Sequence, residues 1–380
     1  MNCSYHLIYD SGVRIEARRF ATDQGCCEYH VILHAVRRES LFENQLSDLT
    51  TAFDRLPDLL GEKVTPLFRR FFLSDAANQA PLLESLLSKH CATSVVQQAP
   101  MDGSKIALWV YLRSDANMSG DYDTTTASAN GYRHIWTAGR CVPLKNSYDE
   151  TLSILGKYVT DLYASGCTLY NDCIRTWFFV QNVDVNYGGV VKARRELFER
   201  HGLTPQTHFI ASTGIEGRHA DPQVSVLFDA YSVRGLKPGQ QQFLYASTHL
   251  NPTYEYGVTF ERGTKVIYGD RSHIFISGTA SIDNRGEIVA PGNIAGQTER
   301  MLENIEKLLA EAGATFSDLM QMVIYLRDPA DYNYVARLFE ERFDEIPHVI
   351  VLAPVCRPGW LIETECIAIT GNGDSAFLPY

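Results

Sequence analysis

The chain has 380 residues, 45% hydrophobic and 21% charged, the composition of a soluble globular protein with length for two or three domains. A formal net charge of -11 without any basic stripe argues against a nucleic-acid partner, and an anionic substrate would need a local basic pocket. No apolar run approaches membrane-spanning length and the first residues do not read as a leader, so a cytoplasmic protein without membrane partners is expected. Nine scattered cysteines with no Cys-x-x-Cys or His-rich spacing read as reduced thiols, and neither metal nor cofactor is expected.

Taken in order, the chain writes one pattern three times. The first, degenerate copy runs through a strand at 29–36, a helix at 49–60, a strand at 66–73, a helix at 76–90, a short strand at 95–100 and a strand at 106–112. Residues 115–130, rich in Ser, Thr, Asp, Asn and Gly, read as a linker. The second copy opens on the strand His134-Ile135-Trp136-Thr137-Ala138-Gly139, followed by a helix at 148–164, a strand at 174–180, a helix at 190–200, and strands at 208–214 and 224–233. A second linker, Gly235-Leu236-Lys237-Pro238-Gly239, leads to the third copy. There His273-Ile274-Phe275-Ile276-Ser277-Gly278 is a strand, and Met301, Leu302, Ile305, Leu308 and Leu309 mark the core face of a helix at 297–312. A strand at 320–326, a helix at 334–343 and closing strands at 348–352 and 361–369 complete it, and the tail at 371–375 is expected to fray. The fold class is therefore α+β: three modules at 1–115, 116–238 and 239–380, each a mixed, antiparallel-leaning sheet with two helices on one face.

A fold repeats its packing positions, so the places where one copy departs toward costly polar chemistry point to function. On the last strand Glu363 and Glu365 share one face, two residues apart in an apolar run. Across the copies Glu365 falls opposite Asp229 and Tyr111, whereas Glu363 falls opposite Leu227 and Trp109. A buried carboxylate without a partner has its pKa raised, which makes Glu363 a candidate general acid. Arg175, in an apolar strand where the third copy has Gln321, and Arg357 and Arg262 are candidates for gripping a substrate carboxylate. The small-residue stretches Ser277-Gly278-Thr279-Ala280-Ser281 and Ser212-Thr213-Gly214-Ile215 read as turns able to offer backbone N–H groups or to make a tight bend. Cys356 reads as a thiol lining the pocket.

Phe275-Ile276-Ser277-Gly278, Gln297, Asn304, Gly313, Asp328 and Glu363-Thr364-Glu365-Cys366-Ile367-Ala368 resemble the RidA (YjgF) superfamily of small trimers with active sites between subunits. Three such modules in one chain resemble a trimer fused end to end, which implies a monomer with internal pseudo-threefold arrangement. Within the superfamily, Cys356-Arg357 with Trp360-Leu361-Ile362-Glu363, Arg175-Thr176-Trp177, Thr213-Gly214-Ile215, Asn251-Pro252, Tyr256-Gly257 and Ser277-Gly278-Thr279-Ala280-Ser281 resemble the chorismatase branch. That resemblance implies release of the enolpyruvyl group of chorismate as pyruvate, leaving a dihydroxycyclohexadiene carboxylate or a hydroxybenzoate. It implies Glu363 as the acid, and Arg175, Arg357, Arg262, Cys356, Ala280, Gly278, Thr213 and Tyr256 as substrate-binding residues. The alternatives are a RidA-like enamine or imine hydrolase, whose arginine is replaced by His348 beside Pro347, and a non-enzymatic binder of small acids.

Overall fold

The computed structural model describes residues 3–23 and 26–380, the side chain of Tyr256 excepted. In chain order the first stretch gives β1 (Cys3–Asp10), β2 (Val13–Phe20), β3 (Glu28–Ala35), α1 (Phe42–Asp54), the short α2 (Leu56–Leu60), β4 (Thr65–Leu73), α3 (Ala76–Leu86), β5 (Ala92–Gln97), the two-residue β6 (Ala99–Pro100) and β7 (Ile106–Arg113). Its sheet runs β1-β2-β3-β7-β4-β5. The second stretch gives β8 (Asn117–Gly120), β9 (Thr124–Ala129), β10 (Tyr132–Arg140), α4 (Ser147–Ala164), α5 (Leu169–Asp172), β11 (Cys173–Val180), α6 (Val183–Arg200), β12 (Ala211–Glu216) and β13 (Val226–Arg234), ordered β12-β11-β13-β10-β9-β8. The third gives β14 (Gln241–Leu244), β15 (Gly263–Ile267), β16 (Ser272–Ala280), α7 (Ile294–Glu311), β17 (Leu319–Leu326), α8 (Tyr332–Arg342), β18 (His348–Leu352) and β19 (Ile362–Thr370), ordered β14-β15-β16-β19-β17-β18-β6.

The strand register verifies the internal repeat. In each sheet the last long strand, β7, β13 or β19, is antiparallel to both neighbours, and a parallel pair closes one side. Strands β10 and β16 carry the same irregularity, between Thr137 and Arg140 and between Ile276 and Thr279. Beyond it Arg140 pairs with Phe228 and Thr279 with Thr364, so Leu227 and Glu363 hold equivalent places, as do Asp229 and Glu365.

Successive strand residues face opposite sides of a sheet, and here both sides are buried. On β7, Leu108, Val110 and Leu112 pack with α1 and α3, while Ala107, Trp109 and Tyr111 face inward. On β13, Val226, Phe228 and Ala230 pack with α4 and α6, while Leu227, Tyr231 and Val233 face inward. The inner faces meet in one aromatic centre, where Phe68, Trp109, Trp136 and Trp177 are in ring contact. The ring closes because β5 lies against β10, β12 against β16, and β17 against β2 and β3, with β6 crossing over to pair with β18. The architecture is thus a fused pseudo-trimer with helices outside and sheets inside. Among the described residues no helix is long and apolar enough to cross a membrane.

Four points of the sequence reading need correction. The supposed linker at 115–130 holds β8 and β9, and Asn130-Gly131, both at positive φ, make a tight hairpin into β10. Composition marked the turn residues, but the alternating Thr124-Thr125-Thr126-Ala127 stretch beside them is a strand. Residues 3–20, left unassigned by the repeat, form a two-stranded extension, β1 with β2. The tail does not fray: Asp374 N–H donates to Tyr268 O, and Tyr380 is buried at the axis beneath Arg113 and Arg271. Cation–π contact and aromatic burial hold it there. Helix α6 also starts well before 190, because packing against α4 overrides the poor propensity of Gly188-Gly189.

Candidate active site

Strand β19 carries Glu363 and Glu365 toward the shared interior, where the edge of the second sheet abuts β16. The irregularity in β16 leaves room for them. A Cβ on Gly278 would collide with the Glu363 carboxyl, so the absence of a side chain there is a spatial requirement.

The two carboxylates have opposite surroundings. Glu365 is held on both oxygens: Arg175 Nη2 and the Thr213 hydroxyl donate to Oε2, and Trp177 Nε1 donates to Oε1 at 2.8 Å. Arg70 Nη1 adds a charge 3.6 Å from Oε1. No hydrogen bond among the described residues reaches the Glu363 carboxyl. Burial, reinforced by the Glu365 charge and only partly offset by Arg175 and Arg262, pushes its pKa up to about 8. Glu363 is therefore a neutral carboxylic acid at pH 7.

Glu363 opens into a cleft whose empty volume, mouth included, is about 490 Å³. The second module contributes Tyr187 and Arg194 from α6 and Ser212 and Gly214 from β12; the third contributes Val258, Phe260, Arg262, Gly278, Ala280, Ile282, Cys356, Arg357 and Trp360. Arg262 donates to the carbonyl and side-chain oxygens of Asn251 at 3.0 and 3.2 Å, and its guanidinium lies over Phe260. Arg357 stacks on Trp360. Arg194 is fully buried; among the described residues its side chain bonds only the hydroxyls of Thr259 and Ser212, and its Nη2 has no hydrogen-bond partner. Burial and the neighbouring Glu363 push the Cys356 thiol up to about 12, so it is not a thiolate nucleophile. The cleft thus joins one neutral acid to three guanidinium groups, in a protein of net charge -11.

Of the residues singled out from sequence, Glu363, Arg262, Arg357, Cys356, Ala280 and Gly278 line this one cleft. Arg175 and Thr213 do not line it; they stand behind the wall and spend their polar atoms on Glu365. The Tyr256 side chain lies outside the described residues. The two supposed turns are strand segments, Thr213 within β12 and Gly278 in the irregular stretch of β16. Sequence reasoning missed Arg194, because Lys192-Ala193-Arg194-Arg195 reads as the solvated face of a helix. Its one signal was position: Val190, Ala193, Arg194 and Leu197 share the buried face of α6.

A ring of three α+β modules with a cleft between two of them defines the structural class. Residues 264–370 match the family described as Endoribonuclease L-PSP. A RutC family protein of Pyrococcus abyssi is 40% identical over 98 residues, 25% of this chain and 76% of that protein. The 3-aminoacrylate deaminase RutC of Acinetobacter baylyi is 33% identical over 97 residues, 25% of this chain and 77% of that one. The chain belongs to the RutC family, within the RidA-like superfamily. Over a much larger span, the crystal structure of a chorismatase covers 82% of this chain and 95% of its own, with a TM-score of 0.65 and 18% identity, a likeness of fold.

Proposed function

We propose that the protein is a cofactor-independent chorismatase-type enzyme that removes the enolpyruvyl group of chorismate as pyruvate. The observation that carries this reading is the neutral Glu363 carboxyl in a cleft whose other charged groups are Arg194, Arg262 and Arg357. Chorismate carries two carboxylates, which suit two or more guanidinium groups, and an enol ether breaks once its methylene carbon is protonated.

Glu363 gives its proton to that methylene carbon, and the adjacent carbon becomes an oxocarbenium centre. Water adds to this centre and passes a proton back to the Glu363 carboxylate. The hemiketal then breaks its bond to the ring oxygen, which takes up a proton as the hemiketal hydroxyl gives one up to become the ketone, releasing pyruvate and a dihydroxycyclohexadiene carboxylate. If a neighbouring ring hydroxyl traps the cation instead of water, the route leads toward a hydroxybenzoate. Glu365, already held by Arg175, Thr213 and Trp177, has no part in this proton transfer. Ala280 and Cys356 shape the wall against which the ring lies.

The test is incubation of purified protein with chorismate, with pyruvate followed through lactate dehydrogenase. Release by the wild type and its loss in Glu363→Gln are expected; no release by the wild type, or unchanged release by the variant, would sink the reading. Family membership supports a second reading, imine or enamine hydrolysis, which predicts ammonia from 3-aminoacrylate. Against it, His348 stands where the deaminase arginine is expected, and its Nδ1–H donates to Ile346 O while its backbone N–H donates to Glu16 on a different seam.

A further inference from the structure

The first module contributes nothing to the wall of the cleft, yet one of its side chains reaches the acid's support. Arg70 of β4 is fully buried between the rings of Phe68, Trp109, Trp177 and Phe179. Its guanidinium donates to Asp229 Oδ2 of the second module at 2.8 and 3.2 Å, and stands 3.6 Å from Glu365 Oε1 of the third. The other oxygen of Asp229 accepts the Gly139 N–H. One guanidinium therefore touches carboxylates of two modules from a third. Arg70, Arg175, Asp229 and Glu365 form a dry hub of two cations and two anions.

We infer that Arg70 is a positioning residue for the cleft: its guanidinium, shared between Asp229 and Glu365, fixes the Glu365 side chain and balances the charge of the hub behind Glu363, so that Glu363 is presented as the acid. The inference rests on the proposed role of Glu363. An unpaired charge in a dry interior is costly, so removing one cation leaves the hub negative or forces it to reorganise. The groups facing Glu363 are Glu365 on its own strand, Arg175 from β11, Arg262 ahead of β15, Tyr325 from β17, Cys356 and Arg357 from the turn before β19, and Tyr187 and Arg194 from α6 across the cleft. None of these replaces the lost charge.

The measurement is the pH dependence of kcat for wild type, Arg70→Met, Arg70→Lys, Asp229→Asn and the double variant Arg70→Met with Asp229→Asn, each checked for fold by circular dichroism. Arg70→Met adds net negative charge near Glu363; its basic limb moves up by ~1 pH unit, and kcat falls roughly tenfold with KM unchanged. Arg70→Lys keeps the limb in place, the double variant returns it, and Asp229→Asn alone moves it down, which keeps the test open if Arg70→Met fails to fold. A basic limb that stays put in both Arg70→Met and Asp229→Asn overturns the inference. If the wild type releases no pyruvate, it is the functional reading that fails. The Arg70 inference is then decided by 13C NMR of glutamate-labelled protein, with Glu363 assigned through Glu363→Gln and the same shifts expected in its titration.

Discussion

Two seams of the ring place a buried glutamate between modules, and they treat it in opposite ways. Where the second module meets the third, Glu363 has no hydrogen bond among the described residues, and burial drives it neutral. Where the third meets the first, Glu16 pairs with Arg14, lies 3.5 Å from His34 Nε2 and accepts the His348 N–H at 3.2 Å. Burial alone would push Glu16 up, but His34, His348 and Arg14 together hold it down at about 2. A scaffold that repeats three times can build an ionic clasp at one seam and leave an unpaired acid at another. The difference lies in which donors the neighbouring strand supplies, since both carboxylates are almost completely buried.

The comparison breaks most sharply if the two acids are neutralised in turn. Glu363→Gln is expected to lower kcat by at least ~100-fold, the share of a general acid, measured as pyruvate release. The same variant should be more stable. A group with a pKa of about 8 when folded and 4.5 when unfolded weighs against folding as pH rises through 4.5, by up to ~3 kcal/mol at pH 7. Denaturant unfolding at pH 7 checks the sign, and the gain should vanish at pH 4. Glu16→Gln should do the reverse, leaving turnover unchanged and costing ~1–3 kcal/mol at neutral pH, because Arg14 and His34 lose their partner. Its wild-type contribution is present above pH 4.5 and fades as pH falls toward 2. Arg194→Met should raise KM by about 10- to 100-fold, the worth of a charge-assisted hydrogen bond, with a smaller change in kcat. Gly278→Ala should give the smallest effect that still matters: a displaced Glu363 side chain and a basic limb shifted from pH 8, with the fold kept.

Much of this was legible in the sequence, for identifiable reasons. The repeat could be read because β-α-β-α-β periodicity and the shared His, Gly and Gly-x-Thr positions survive in the second and third copies. Glu363 could be read because its equivalent in the second copy, Leu227, is apolar; in the first copy the register places Ala107 at that position and Trp109 opposite Glu365, a two-residue correction to the expected alignment that leaves the equivalent apolar. Arg175 was correctly seen as buried and out of place, yet its partner, Glu365, lies 190 residues away, and no local pattern reports such a pair. Arg194 and Arg70 were missed for the same reason, being ordinary basic residues until the ring closes around them. The strands at 117–129 were hidden by turn-like composition, and the packing of Tyr380 by its distance from everything it touches.

The central claim is that Glu363 is protonated at neutral pH because the fold withholds from it what it gives to Glu365 and Glu16. Titrating the glutamate side chains by 13C NMR, with Glu363 assigned through Glu363→Gln, tests this without any substrate. The account predicts one carboxyl that ionises with a midpoint near 8 and disappears in the variant. A Glu363 signal already ionised at pH 6, with a midpoint at or below 4.5, would contradict it.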